Sequence, residues 1–197
     1  MKLRNILFAL VAMMCTYVVV ANPAIIPTPK SYVAHEGEFR LTSSHSVAAS
    51  SSTLAPLANY LAQHLNVEVS TKGDIVLRID TTLKSEEYRL SVTTNRVEIL
   101  GGDYGGVFNG VATLMQLLPA DVYDGLALPA TIACCKVEDA PCYAYRGFML
   151  DCVRHMFSVD EIKKIVDAAA SLKMNSFHWH LTDDQGFRAY SDRRPSA

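Results

Sequence analysis

The sequence has almost no net charge: 18 Lys and Arg against 20 Asp and Glu leave −2 over 197 residues. That balance supplies no basic stripe for a nucleic-acid backbone and no cationic face for an anionic membrane. Internal repeats and long low-complexity tracts are also absent, which excludes a repeat array. Only one long uncharged apolar run occurs, Ile6 to Ala21, and it falls short of the roughly 20 residues of a spanning helix. Lys2 and Arg4 precede it, and Val19 and Ala21 stand at the −3 and −1 positions of a cleavage site before Asn22-Pro23. Residues 1–21 therefore read as a secretory signal peptide, with no stable membrane anchor expected and a periplasmic or extracellular destination. Met14 before Cys15 is a poor match to a lipoprotein site.

Cysteine is scarce. Beyond the leader only Cys134, Cys135, Cys142 and Cys152 remain. Their spacing fits no zinc motif, and the adjacent Cys134 and Cys135 cannot easily bridge each other. Partly buried thiols, or one optional disulfide, are expected.

What is present is apolar: 50% of the residues are hydrophobic, enough for a sizeable core. Three prolines in NPAIIPTPK, then alternation, predict an extended segment and an edge strand. The serine-rich stretch 43–53 reads as an exposed turn. Leu54, Leu57, Leu61 and Leu65 repeat at helical spacing. DIVLRID (74–80) alternates as a strand, and YRLSVTTNRVEILGG (88–102) reads as a hairpin. A second helix carries Val107, Val111, Leu114, Leu117 and Leu118 on one stripe and stops at Pro119. Residues 22–140 thus form a small α+β domain. The glycine run Gly101 to Gly106 matches neither a dinucleotide fingerprint nor a phosphate loop; a tight turn allowing close helix–sheet packing is the simpler reading.

A different pattern starts near Pro141. YAYRGFMLD (143–151) is an apolar run of strand length. Ser158-Val159-Asp160-Glu161 is a capping box. The helix behind it places Val159, Ile162, Ile165, Val166, Ala169 and Leu172 on one face, and Lys173 near its end suits the helix dipole. NSFHWHL (175–181) is a second strand. Strand, helix and strand make a βαβ unit with parallel strands.

Both strands run into charged clusters, Arg154-His155 and Asp183-Asp184-Gln185. A parallel βαβ unit puts these at one edge, the C-terminal edge that carries the site in a βα barrel. Arg154, ending an apolar strand, suits bidentate hydrogen bonds to a polar ligand such as sugar hydroxyls. Adjacent aspartates seldom face each other, so one is expected to reach the pocket while its neighbour bonds backbone groups. His178 and His180 point to one side of their strand. They are either hydrogen-bonded histidines of the interior or, with His155 and Asp183, ligands of a zinc-dependent hydrolase.

The stretch YRGFMLDCVRHMFSVDEIKKIVDAAASLKMNSFHWHLTDDQGFR (145–188) resembles the opening of the catalytic barrel of the β-N-acetylhexosaminidases, glycoside hydrolase family 20. It carries RG-x-x-x-D-x-x-RH, then Lys-x-Asn after a helix, then HWHLTDDQG. The upstream YRLSV…VEILGGDYGGVFNGVATLMQLLP resembles that family's non-catalytic domain. The resemblance implies an α/β fold: a small α+β N-terminal domain (22–140) followed from residue 141 by the first β-α-β portion of a TIM (β/α)8 barrel.

The resemblance also implies an activity, the removal of terminal non-reducing N-acetylglucosamine or N-acetylgalactosamine with retention. The substrate's own acetamido oxygen acts as nucleophile, a Glu as acid and base, and a preceding Asp orients the acetamide. Arg154 matches the residue that binds the sugar hydroxyls, and Asp183 the aspartate that supports the polar network. His155, Asp184 and Asp151 match supporting positions. No metal or organic cofactor is implied, and the partners are glycans containing N-acetylhexosamine.

The family's Gly-Gly-Asp-Glu motif does not occur in the sequence. A full barrel takes about 250 residues. The barrel is therefore expected to be incomplete, with the catalytic Asp-Glu pair beyond residue 197, residues 141–197 exposed and loosely packed, and no turnover from this polypeptide alone. A non-catalytic glycan-binding module is the alternative.

Overall fold

The computed structural model describes residues 24–119 and 128–188. The signal-peptide reading of residues 1–21 lies outside them. Among the described residues no helix is long and apolar enough to cross a membrane.

The first region is a seven-stranded mixed sheet. Its strands are β1 (Ser31–Leu41), β2 (Ser46–Ala49), β3 (Glu68–Val69), β4 (Ile75–Ile79), β5 (Tyr88–Val92), β6 (Val97–Gly101) and β7 (Ala130–Asp139), in the order β1-β7-β5-β6-β4-β2-β3. Strands β2, β3, β4 and β6 pair in parallel, whereas β5 is antiparallel to both β6 and β7. Two helices cover one face, α1 (Ala55–Leu65) and α2 (Tyr104–Leu117). The alternation explains the layering. Tyr88, Leu90 and Val92 of β5, Val97 and Ile99 of β6 and Leu77 of β4 meet Leu57, Leu61 and Leu65 of α1 and Val107, Val111 and Leu114 of α2 in one core. Arg89, Ser91 and Glu98 lie on the opposite face.

The edge strand and the hairpin stand where the sequence placed them. The stretch 43–53 does not remain a turn throughout. Val47 is buried, and β2 runs inside the sheet between β3 and β4. Serine and alanine gave no strand signal, but parallel pairing with β4 over residues 47–49 supplied the partner. Strand β7 is a further strand beyond those the sequence pattern predicts, and its Ile132, Cys135 and Val137 are core residues. Edge strand β1 is interrupted by a bulge between Ala34 and Glu38, with Gly37 at φ 96°, a left-handed geometry that favours glycine.

The glycine run is a packing device. A Cβ on Gly102 would fall 1.9 Å from the Lys84 carbonyl oxygen, and one on Gly106 would fall 2.4 Å from that of Glu87. Asp103 caps α2, its carboxylate accepting from the Gly106 N–H at 2.8 Å and the Glu86 N–H at 3.1 Å. That side chain fills the position an anion would need at the helix N-terminus.

The second region is a βαβ unit: β8 (Gly147–Asp151), α3 (Val159–Ser171) and β9 (Ser176–His180), with β8 and β9 parallel. A small hairpin, β10 (Thr182–Asp183) and β11 (Gly186–Phe187), follows. The capping box is formed: the Glu161 N–H donates to Ser158 Oγ, and the Ser158 N–H donates to Glu161 at 2.8 Å. The helix is amphipathic in sequence, yet no residue of α3 is buried. All four described cysteines are free thiols; Cys134, Cys135 and Cys152 are buried and Cys142 is exposed. Burial in the β7 core pushes the Cys135 thiol up to about 11.

Candidate active site

Parallel pairing sets Asp151 opposite His180, so β8 and β9 end at the same level. The chain then turns on both sides. Asp151 Oδ1 accepts from the backbone N–H groups of Val153 at 3.0 Å and Arg154 at 3.2 Å, which curls the segment after β8 back over the strand end. The Cys152 N–H donates to the His180 carbonyl at 3.1 Å and keeps the two segments together.

Arg154 lies between two carboxylates. Its Nη1 pairs with Asp151 Oδ2 and its Nη2 with Asp183 Oδ2, each at 2.5 Å. His180 Nε2 stands 3.2 Å from the same Asp183 oxygen. The result is a chain of groups, Asp151–Arg154–Asp183–His180, along the C-terminal edge of the two strands. Each carboxyl is held in its charged form. The Arg154 hydrogen bond, with backbone donors, brings Asp151 down to about 2. Asp183 is lowered first by the Asp184 N–H, then by His180 and the Arg154 charge. Asp151 in turn raises Arg154 above its ordinary value. The Arg154 side chain is still 51% exposed, so its remaining N–H donors and the carboxylate lone pairs are open to a polar ligand.

The expected division of labour between the two aspartates is not what forms. Asp183 does both jobs: one oxygen faces Arg154 and the other accepts from the Asp184 N–H at 2.8 Å. Asp183 is the last residue of β10 before the turn to β11, where a short carboxylate can bond the following backbone with one oxygen and Arg154 and His180 with the other. Asp184 contributes its backbone N–H. His155 is not in the chain of polar contacts; its ring meets Phe157 edge-on at 4.9 Å.

His178 and His180 share a face of β9, their ring centroids 6.3 Å apart. His180 is engaged by Asp183, and His178 is exposed. Among the described residues no three His, Cys, Asp or Glu side chains gather as a metal-ligand set. His180 joins the site as a partner of Asp183, a role separate from the interior or zinc-ligand readings of its sequence pattern. The i,i+3 spacing across the strand end was the available signal.

The two halves of the chain match two parts of one family. Residues 22–140 match the model for glycosyl hydrolase family 20, domain 2, and residues 143–196 match the catalytic domain of the same family. The chain belongs to glycosyl hydrolase family 20. A β-hexosaminidase of Porphyromonas gingivalis is 37% identical over 186 residues, which is 87% of this family 20 chain and 24% of the relative. One from Vibrio furnissii is 35% identical over 174 residues, covering 85% and 28%. The chain thus spans about a quarter of the length of these relatives.

Solved structures agree. The family 20 β-N-acetylhexosaminidase of Streptomyces coelicolor A3(2) superposes with a TM-score of 0.80 at 37% identity, over 87% of this chain and 37% of that one. An exo-β-N-acetylglucosaminidase of Vibrio harveyi, solved with N-acetylglucosamine, gives 0.79 at 31% identity, over 86% and 27%. The expected architecture therefore stands: an α+β domain followed by the opening β-α-β portion of a TIM barrel.

Proposed function

We propose that this family 20 chain carries the sugar-gripping half of a β-N-acetylhexosaminidase site, for terminal non-reducing N-acetylglucosamine or N-acetylgalactosamine. The observation that carries the reading is the Asp151–Arg154–Asp183 bridge at the C-terminal edge of β8 and β9. A planar guanidinium fixed between two charged carboxylates presents donors and acceptors at set positions, as neighbouring sugar hydroxyls require. Arg154 donates to the hydroxyls. Asp183 orients Arg154 and accepts from a hydroxyl. Asp151, His180 and the Asp184 N–H hold those two in place.

The bond-breaking step follows the family's substrate-assisted scheme. The acetamido oxygen attacks the anomeric carbon, the leaving oxygen takes a proton from a carboxylic acid, and water then opens the cyclic intermediate with retention. The 197 residues contain no Gly-Gly-Asp-Glu sequence to supply that acid and its Asp partner. This polypeptide alone is therefore proposed to grip the aminosugar without turning it over. Export to the periplasm or exterior, on the strength of the apolar run after Lys2 and Arg4, places it with glycans bearing N-acetylhexosamine.

The test combines two measurements on the full chain. N-acetylglucosamine titration followed by NMR is expected to shift the Arg154 side-chain signal and the backbone amides at the ends of β8 and β9, and Arg154→Ala is expected to abolish the amide response. A nitrophenyl N-acetylglucosaminide is expected to release no chromophore. Sugar binding that survives Arg154→Ala would sink the assignment of the grip, and steady chromophore release would sink the claim of no turnover.

A further inference from the structure

Three residues of the sequence pattern lie at the opposite end of the strands from the sugar site: Arg146, Lys173 and Asn175. Arg146 immediately precedes β8, and Asn175 immediately precedes β9. Both reach the same carboxylate, Glu86 of the sheet domain. Arg146 donates to it through Nη1 at 3.0 Å and Nη2 at 2.7 Å, and Asn175 Nδ2 lies 3.3 and 3.4 Å from its two oxygens. The two strand starts are also tied to each other, because the Arg146 N–H donates to Asn175 Oδ1 at 3.0 Å and Arg146 Nε donates to the Lys173 carbonyl at 2.8 Å.

Lys173 departs from its sequence reading. It does not line the helix end as a dipole partner. At φ 62° it turns away from α3 and buries its side chain in the sheet domain. Its ammonium donates to Tyr88 Oη at 3.0 Å and Asp139 Oδ2 at 3.3 Å. Tyr88 Oη is in turn 2.6 Å from Thr113 Oγ1.

Glu86 is itself immobilised. Its N–H donates to Asp103, and its carbonyl accepts from Asn109 Nδ2 at 3.1 Å. No buried side-chain polar atom among the described residues lacks a partner. By contrast, β8 and β9 have no buried residue. Strand register is specified where one face is buried and weakly held where neither is. A slip of one residue would turn every side chain of β9 to the other face, and would unpair Asp151 from His180 and Arg154 from Asp183.

We propose that Glu86, with Arg146, Asn175 and the Lys173 plug, is a register lock: the sheet domain sets the alignment of β8 on β9 and thereby positions Arg154 and Asp183 at the far end, about 13 Å along the strands. The lock depends on the sugar-site reading only for what it positions.

The experiment compares the full-length chain with Glu86→Gln and with Glu98→Gln, a control in an exposed ion pair with Arg78. Amide hydrogen exchange and the Arg154 Nε–H NMR signal are read together. Glu86→Gln is expected to lose roughly tenfold or more of the protection at residues 148–150 and 177–179, the scale of a lost charge-assisted hydrogen bond. It is also expected to displace the Arg154 signal while amides of β4 to β6 keep their protection. Glu98→Gln is expected to change neither. A uniform loss across the chain, which a merely stabilising contact would give, overturns the proposal, and so does unchanged protection in β8 and β9. Should Glu86→Gln fail to fold, Asn175→Ala, which leaves the sheet domain intact, must give the same local pattern or the lock is abandoned. If the parent chain shows no response to N-acetylglucosamine while the exchange pattern holds, the sugar reading falls and the lock stands.

Discussion

The sheet domain and the βαβ unit were built from equally clear amphipathic patterns, yet they reach opposite ends of the burial scale. Helix α1 buries Leu57, Ala58, Leu61, Ala62 and Leu65, whereas α3, with its apolar stripe from Val159 to Leu172, buries nothing. Periodicity states which face of a helix wants cover. It does not supply the cover. The sheet domain stabilises itself by removing apolar area from water. The βαβ unit buries only Cys152, Val153 and Lys173 among its described residues, and polar contacts tie its two ends: those to Glu86 and Asp139 below, and the Asp151–Arg154–Asp183 bridge above.

The contrast can be broken most severely in the core. Leu77→Ala removes a fully buried side chain from β4 and is expected to cost about 4 kcal/mol, read by denaturant unfolding under far-ultraviolet circular dichroism. Val166→Ala on α3, at 36% exposure, is expected to stay within about 0.5 kcal/mol. Equal losses at the two sites would show that the two regions are stabilised alike.

Next in size is Lys173→Met. It leaves the shielded Asp139 without its cationic partner, with only the neutral donors Tyr88 Oη and the Lys30 and Ala140 N–H groups remaining, and is expected to cost about 3 kcal/mol. The loss should appear first in the emission of Trp179, the only tryptophan, which reports the βαβ unit through its contacts with Cys152 and Phe177. A loss seen equally in the sheet domain would refute this order.

The smallest effect is one of pH. The Arg146 hydrogen bond holds the Glu86 carboxyl below its ordinary 4.5, with burial opposing and Asn175 assisting. A carboxyl lowered in the folded state stabilises above its unfolded value and loses that contribution as pH falls through the folded one. Trp179 emission is therefore expected to hold steady from neutral pH to about 4.5 and to change below it, before the circular dichroism of the sheet does. Coincident transitions would place the acid-sensitive contact elsewhere.

Much of this was legible in the residues. Leucine spacing gave α1, alternation gave β4 to β6, and the capping box gave the start of α3, because each is decided within a turn or two of chain. Strand β2 was not legible, since Val47 is one apolar residue among serines and alanines and becomes a strand only through its partners. At the site, the convergence of Arg154 and Asp183 followed from the parallel pairing of a βαβ unit, which puts both strand ends at one edge. The double duty of Asp183 and the engagement of His180 depend on the turn at Asp184, whose type the sequence left open. Lys173 was read by its place on a helix, but it is governed by Tyr88 and Asp139, 85 and 34 positions away.

The bulge at Gly37 bears on how the molecule meets copies of itself. One margin of the large sheet is β1, broken at mid-length and carrying His35, Glu36, Glu38 and Arg40. The other is β3, only two residues long. Neither margin offers a straight, uncharged template on which a further chain could add hydrogen bonds, so the sheet is protected against growth into fibrils at both sides.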